Sequence, residues 1–172
     1  MSLSLFALKD LNNMREGRPN LGPLTPVAVY RLMQYTFRDV LEARHGSKAA
    51  REIFFDAGAL AGKEFCKHIL NASLDFDSFV AQLQQKLKDM RIGVLRVEKA
   101  DKVKMEFTLT VEEDLDCSGL PLLGETVCDY DEGFIAGVLH AYSGKEFEVK
   151  EIDCWATGER VCRFSVKLKR ED

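Results

Sequence analysis

The stretch EIDCWATGERVC, residues 151–162, carries the most decisive pattern in the chain. Cys154 and Cys162 flank Gly158 symmetrically, inside a longer run of alternating residues, KEFEVKEIDCWATGERVCRFSVKLK (145–169). That run reads as two strands around a turn at Thr157, Gly158 and Glu159. In a hairpin the two thiols would be near-opposite across the strands, close enough to share an ion. Glu151 precedes Cys154 by three residues, which on a regular strand puts it on the other face, so a bulge or strand end is required. Cys128 stands near the start of a helical run, where free N–H groups and the helix dipole favour a thiolate. Together, Cys128, Glu151, Cys154 and Cys162 make a plausible tetrahedral zinc site. Two other readings stand beside it: three small buried residues, or a redox pair of Cys154 and Cys162.

Outward from this hairpin, TVCDYDEGFIAGVLHAYSG (126–144) reads as a helix, with Thr126 and Asp129 as a capping-box-like pair and Gly144 as its stop. Upstream, Gly93–Glu98 and Val103–Val111 alternate around a polar turn at Ala100 and Asp101, which predicts another antiparallel hairpin. Three helical runs come before it. The first follows Thr25 and Pro26, an N-cap and first-turn pair, and carries Val29, Leu32, Met33, Phe37, Val40 and Leu41 at helical spacing. Gly46 ends it, and Ser47 opens a second helix reaching about Leu70. In that helix Gly58 and Gly62, with Ala57 and Ala61, form a small-residue strip that lets another element approach closely. A third helix, capped near Asp77 or Ser78, carries Phe79, Val80, Leu83, Leu87 and Met90. Residues 1–24 read as an irregular segment rich in Gly and Pro. The order ααα, ββ, α, ββ predicts a single α+β domain over 1–172 with a mainly antiparallel sheet.

Composition narrows the function. The chain has 172 residues, 46% hydrophobic and 30% charged, a balance typical of globular proteins. A net charge of −4 with dispersed basic residues gives no electrostatic case for nucleic acid. No apolar run approaches the roughly 20 residues of a membrane span, and MSLSLFALKDL does not read as a signal peptide, so a cytoplasmic protein is expected. Five cysteines, an odd number, fit thiols or metal ligands in a reducing compartment better than disulfides. His45, His68 and His140 form no metal-binding or catalytic constellation. GALAGKE lacks the spacing of a phosphate loop, and no nucleotide fingerprint is present. Cys66 reads as a buried thiol and Cys117 as a loop residue outside any motif.

The segment from Cys128 to Phe164 resembles the 4-vinyl reductase (4VR) domain family of small-molecule-binding domains. The resemblance rests on Cys128-Asp-Tyr-x-x-Gly133-x-x-x-Gly137, Glu151-x-x-Cys154 and Gly158-x-x-x-Cys162-x-Phe164, with Arg18-Pro-x-Leu-Gly22 and the Gly58/Gly62 helix agreeing in layout. It implies that Cys128, Glu151, Cys154 and Cys162 are the ligands of a structural zinc, since the related sensors of aromatic hydrocarbons bind zinc in that order. It also implies the fold shared by TRAPP vesicle-tethering subunits and haem-type nitric oxide sensors, often as a homodimer. The Tyr-x-Ser-x-Arg element of the haem sensors is missing. Where phenol-type sensors clamp the ligand hydroxyl with Trp and His, this chain has Phe107 and Phe79, which points to an apolar pocket.

The expected function is therefore non-catalytic binding of a small hydrophobic or aromatic ligand, reported through dimer contacts to a signalling partner protein. Phe54, Phe65, Phe79, Phe107 and Trp155 are the candidate ligand contacts. The alternatives are a reductase or accessory protein of tetrapyrrole metabolism, or a ligand-free dimeric adaptor.

Overall fold

In the computed structural model, residues 13–169 are described; the expectations for residues 1–12 lie outside them. The chain divides into two compact units, with the division between Ala50 and Arg51.

The first unit holds a short helix α1 (Met14–Gly17), within the segment expected to be irregular, and α2 (Val27–His45). Pro26, rather than Thr25, is the N-cap of α2, and Gly46 ends it at φ 83°. The apolar residues that give this helix its period are largely at the surface: Leu32 is 67% exposed, Met33 65% and Phe37 56%. Gln34 and Arg38 are buried instead. The periodicity identifies the helix correctly but does not place its apolar stripe in the core.

Helix α3 (Ser47–Ile69) runs into the second unit, which continues with α4 (Phe76–Asp89), β1 (Val94–Asp101), β2 (Glu106–Glu112), α5 (Asp129–Ser143), β3 (Phe147–Asp153), a single 3-10 turn (Trp155–Thr157) and β4 (Cys162–Leu168). The expected order of elements is the observed one. Asp75, two residues before the expected cap, closes the N-terminus of α4: its carboxylate accepts the amides of Asp77 and Ser78. The first hairpin turns later than expected, because Asp101 Oδ1 accepts the Val103 and Lys104 amides at 3.1 and 3.0 Å and Met105 takes φ 55°.

The four strands form one antiparallel sheet in the order β1-β2-β4-β3, so the two hairpins join through β2 and β4. Period-2 alternation puts Leu95, Phe107, Leu109, Cys162, Phe164, Val166, Phe147 and Val149 on one buried face. Helices α4 and α5 contact β1 and β3 respectively, and the main core includes residues of both helices and of this sheet face. Outside the sheet, α3 meets α5 backbone to backbone. A Cβ at Gly58 or Gly62 would collide with the carbonyl oxygens of Tyr130 and Phe134, and one at Gly133 or Gly137 with those of Phe55 and Ala59. The four glycines are thus reciprocal, and they fix where the first turn of α5 stands over the sheet.

Candidate metal centre and ligand cavity

Each of three cysteines sits where an element begins or ends. Cys128 is the N-cap residue of α5, at φ −90° and ψ 42°. The expected Thr126/Asp129 box does not form, since the helix begins at Asp129 and its cap makes no side-chain hydrogen bond. Cys154 follows the end of β3; its amide donates to Thr157 Oγ1 at 3.2 Å, and its carbonyl accepts the Thr157 and Glu159 amides at 3.0 and 3.1 Å. Cys162 opens β4 opposite Val111.

The fourth thiol of the group is Cys117, which matches no motif in the sequence. It lies in the connection after β2, where Asp114 Oδ1 accepts the amides of Asp116 (2.8 Å) and Cys117 (3.1 Å). The connection is strapped to the 3-10 turn: Trp155 Nε1 donates to Leu120 O at 3.0 Å, and the Leu123 and Gly124 amides donate to Ala156 O. Asp114 three residues ahead of a cysteine is the one local signal of this turn.

Cys117, Cys128, Cys154 and Cys162 are all buried, with their Sγ atoms within 4.8 Å of one another. The Cys128–Cys154 and Cys128–Cys162 separations are 3.9 and 3.8 Å. Four thiolates about 2.3 Å from a tetrahedral ion would stand about 3.8 Å apart, so these edges fit a metal. Cys117 and Cys162 are closer, at 3.0 Å, and would separate slightly around an ion. All five cysteines are free thiols. Hydrogen bonds from Cys117, Cys128 and Cys162 push the Cys154 thiol down toward the thiolate. Cys128 is pushed up by sharing with Cys117, Cys154 and Cys162 and by burial; Cys162 is pushed up, with Cys117 the leading cause. The cluster therefore favours one negative charge by itself, and a dication supplies what is needed to ionise the rest.

Glu151 lies against this cluster. The ladder between β3 and β4 shifts register between Glu151 and Asp153, which is the bulge that its position requires. It faces the core, and its Oε2 accepts the Cys128 amide at 3.0 Å. Its Oε1 is shielded from solvent and has no hydrogen-bond partner among the described residues. Burial, and then the neighbouring Cys154, push its carboxyl up to about 8. The structure thus brings all four sequence candidates together and adds Cys117.

An apolar cavity of about 60 Å³ lies between α4, α5 and the sheet. Phe79 and Phe107 line it. Phe79 stacks on Tyr142 with centroids 4.1 Å apart, and Phe107 on Phe76 at 5.1 Å. Phe54, Phe65 and Trp155 are placed outside its lining. Phe65 packs edge-on against Phe134, and Trp155 lies under the Arg160 guanidinium beside the cysteine-bearing loop. Two acids that the sequence does not single out, Asp114 and Asp131, also line the cavity. Burial and then Asp116 push Asp114 up to about 7; burial and then Asp114 push Asp131 well up. Among the described residues, no helix is long and apolar enough to cross a membrane.

Residues 107–168 match the family model of the vinyl-4-reductase (4VR) domain. Over 162 residues the chain is 27% identical to the uncharacterised protein MJ0150 of Methanocaldococcus jannaschii, covering 94% of this chain and 87% of that protein. A solved vinyl-4-reductase family protein from the same organism superposes with a TM-score of 0.62 at 19% identity, over 96% of this chain and 98% of that one. The phenol-responsive sensory domain of the transcription activator PoxR, solved with phenol, superposes with a TM-score of 0.63 at 18% identity, over 91% and 90% of the two chains.

Proposed function

We propose, on the premise that this chain carries a vinyl-4-reductase (4VR) domain at residues 107–168, that it binds a small hydrophobic or aromatic molecule without transforming it and acts as a sensor module. The observation that carries this reading is the apolar cavity between α4, α5 and the sheet. Its occupant would touch both hairpin-borne and helix-borne residues, so occupancy can alter how these elements pack. The likeness to a phenol-responsive sensory domain supports the same reading. A cavity of this kind has no use in a ligand-free adaptor, which disfavours that alternative.

The cysteine cluster is proposed as a structural zinc site held by Cys117, Cys128, Cys154 and Cys162. Four protein ligands leave no open position for water, so the ion would clamp the fold and carry no chemistry. Glu151 would hold the Cys128 amide and so orient that ligand. The resemblance to aromatic-sensing domains favours Glu151 as the fourth ligand; the mutual distances favour Cys117. Free buried thiols suit a reducing cytoplasm.

Output would pass through a homodimer and a signalling partner protein. The exposed Leu32, Met33 and Phe37 of α2 form an apolar face suited to such a contact. Native mass spectrometry of protein purified from its own host tests the reading. An apolar small molecule released on denaturation supports it. No bound molecule, together with no thermal shift across a panel of small aromatic hydrocarbons, would overturn it.

A further inference from the structure

The cavity is apolar over most of its wall but acidic at one end. Asp114 and Asp131 line it there, and oxygens of their carboxyl groups lie within 4.8 Å of each other and of Cys128 Sγ. Asp114 is fixed in place by the two amides it accepts. Asp131 is different. The residue is half-buried, yet its Oδ2 is shut off from solvent and has no hydrogen-bond partner among the described residues. A buried acceptor without a donor costs stability, and removing the cost takes a donor from outside the chain. Asp131 cannot retreat to water with its helix, because Gly133 and Gly137 hold α5 against the backbone of α3. No lysine, arginine or histidine lines the cavity. A second metal ion is a poor occupant, since Cys128 already belongs to the thiol cluster and two carboxylates alone would remain.

Building on the ligand-binding reading above, we propose that the cavity takes a small primary amine, whose ammonium group donates to Asp131 Oδ2 beside Asp114 while its apolar body rests on Phe79 and Phe107. An ammonium brings three donors and a positive charge to a site with acceptors and negative charge. A hydroxyl brings one donor and no charge. The volume of about 60 Å³ is roughly twice the share of one water in the liquid, so the fitting body is a short alkyl chain.

The test is an NMR titration of the full chain at neutral pH with n-propylammonium chloride, 1-propanol and toluene, ionic strength matched, on the native sequence and on Asp131→Asn. The expected result is that n-propylammonium shifts the amides of cavity-lining residues and binds at least tenfold more tightly than 1-propanol. Asp131→Asn should abolish that preference and leave toluene binding within twofold. Equal or tighter binding of 1-propanol, or binding of toluene alone, overturns the amine proposal and leaves the ligand-binding reading intact. Binding of none of the three overturns both. If Asp131→Asn does not fold, nuclear Overhauser contacts from the propyl group to the Phe79 and Phe107 rings of the native protein decide. Contacts to those rings support the proposal, and contacts elsewhere overturn it.

Discussion

The cysteine cluster and the apolar cavity share the same sheet face and the first turn of α5, yet they are built by opposite means. In the cluster, short side chains project from backbone positions that local hydrogen bonds hold: the N-cap of α5, the 3-10 turn, the start of β4 and the Asp114 turn. The sulfurs face one another and leave room for nothing larger than an ion. In the cavity, long side chains from four elements meet without filling the space, and the polar atom at its end lacks a partner. The first is a closed clamp with its needs met by one ion. The second is open to an occupant. Structure and recognition are thus separated by a few residues, with Asp114 and Cys128 at the junction.

Breaking the clamp should have the largest effect. Cys154→Ala removes one ligand of the ion and should lower stability by several kcal/mol or abolish folding, given about 10–16 kcal/mol for zinc binding in small peptides. Thermal unfolding monitored by circular dichroism measures this, and an unchanged midpoint counts against the clamp. Next is the helix contact that both regions depend on. Gly133→Val should cost about 3 kcal/mol or more by chemical denaturation, since the colliding atom is the Phe55 carbonyl oxygen, which is backbone. Wild-type stability in that variant would mean α3 and α5 are not in contact as described.

A pair of substitutions then sharpens the assignment of the fourth ligand. Cys117→Ala should reduce bound zinc well below one per chain, whereas Glu151→Gln should keep the metal and lose about 1 kcal/mol, having lost a charge-assisted bond to the Cys128 amide. The reverse outcome by metal analysis makes Glu151 the ligand. The smallest effect on stability belongs to the cavity. Leu87→Phe adds a ring's bulk to its wall and should change stability by about 1 kcal/mol at most, with metal content unchanged and toluene binding weakened at least tenfold. Undiminished binding would place the ligand elsewhere.

The two regions also differ in how far the sequence reveals them. The order of helices and strands is legible because each run keeps one period, 3.6 or 2, long enough to be read. Three thiols and Glu151 are legible because they lie at element ends in a short segment, and the bulge that Glu151 demands is present. Cys117 is not, since it lies in a long connection without periodicity and reaches the cluster through a turn made by Asp114. The cavity is legible only on the sheet side and on one helix. Alternation puts Phe107 on the inner face, and Phe79 lies on the inner side of α4, but nothing in a helical period says that Phe54 and Phe65 belong to packing elsewhere. Asp131 reads as an ordinary acid of a first helical turn, favoured by the dipole. Only the contact of α5 with α3 shows that its Oδ2 is shut away from water.

A closed thiolate clamp beside a separate cavity is tested most directly by zinc quantification of the purified protein combined with X-ray absorption at the zinc edge. The expected result is one zinc per chain with four sulfur scatterers at about 2.3 Å. A folded, metal-free protein whose melting midpoint is unmoved by a chelator would contradict it.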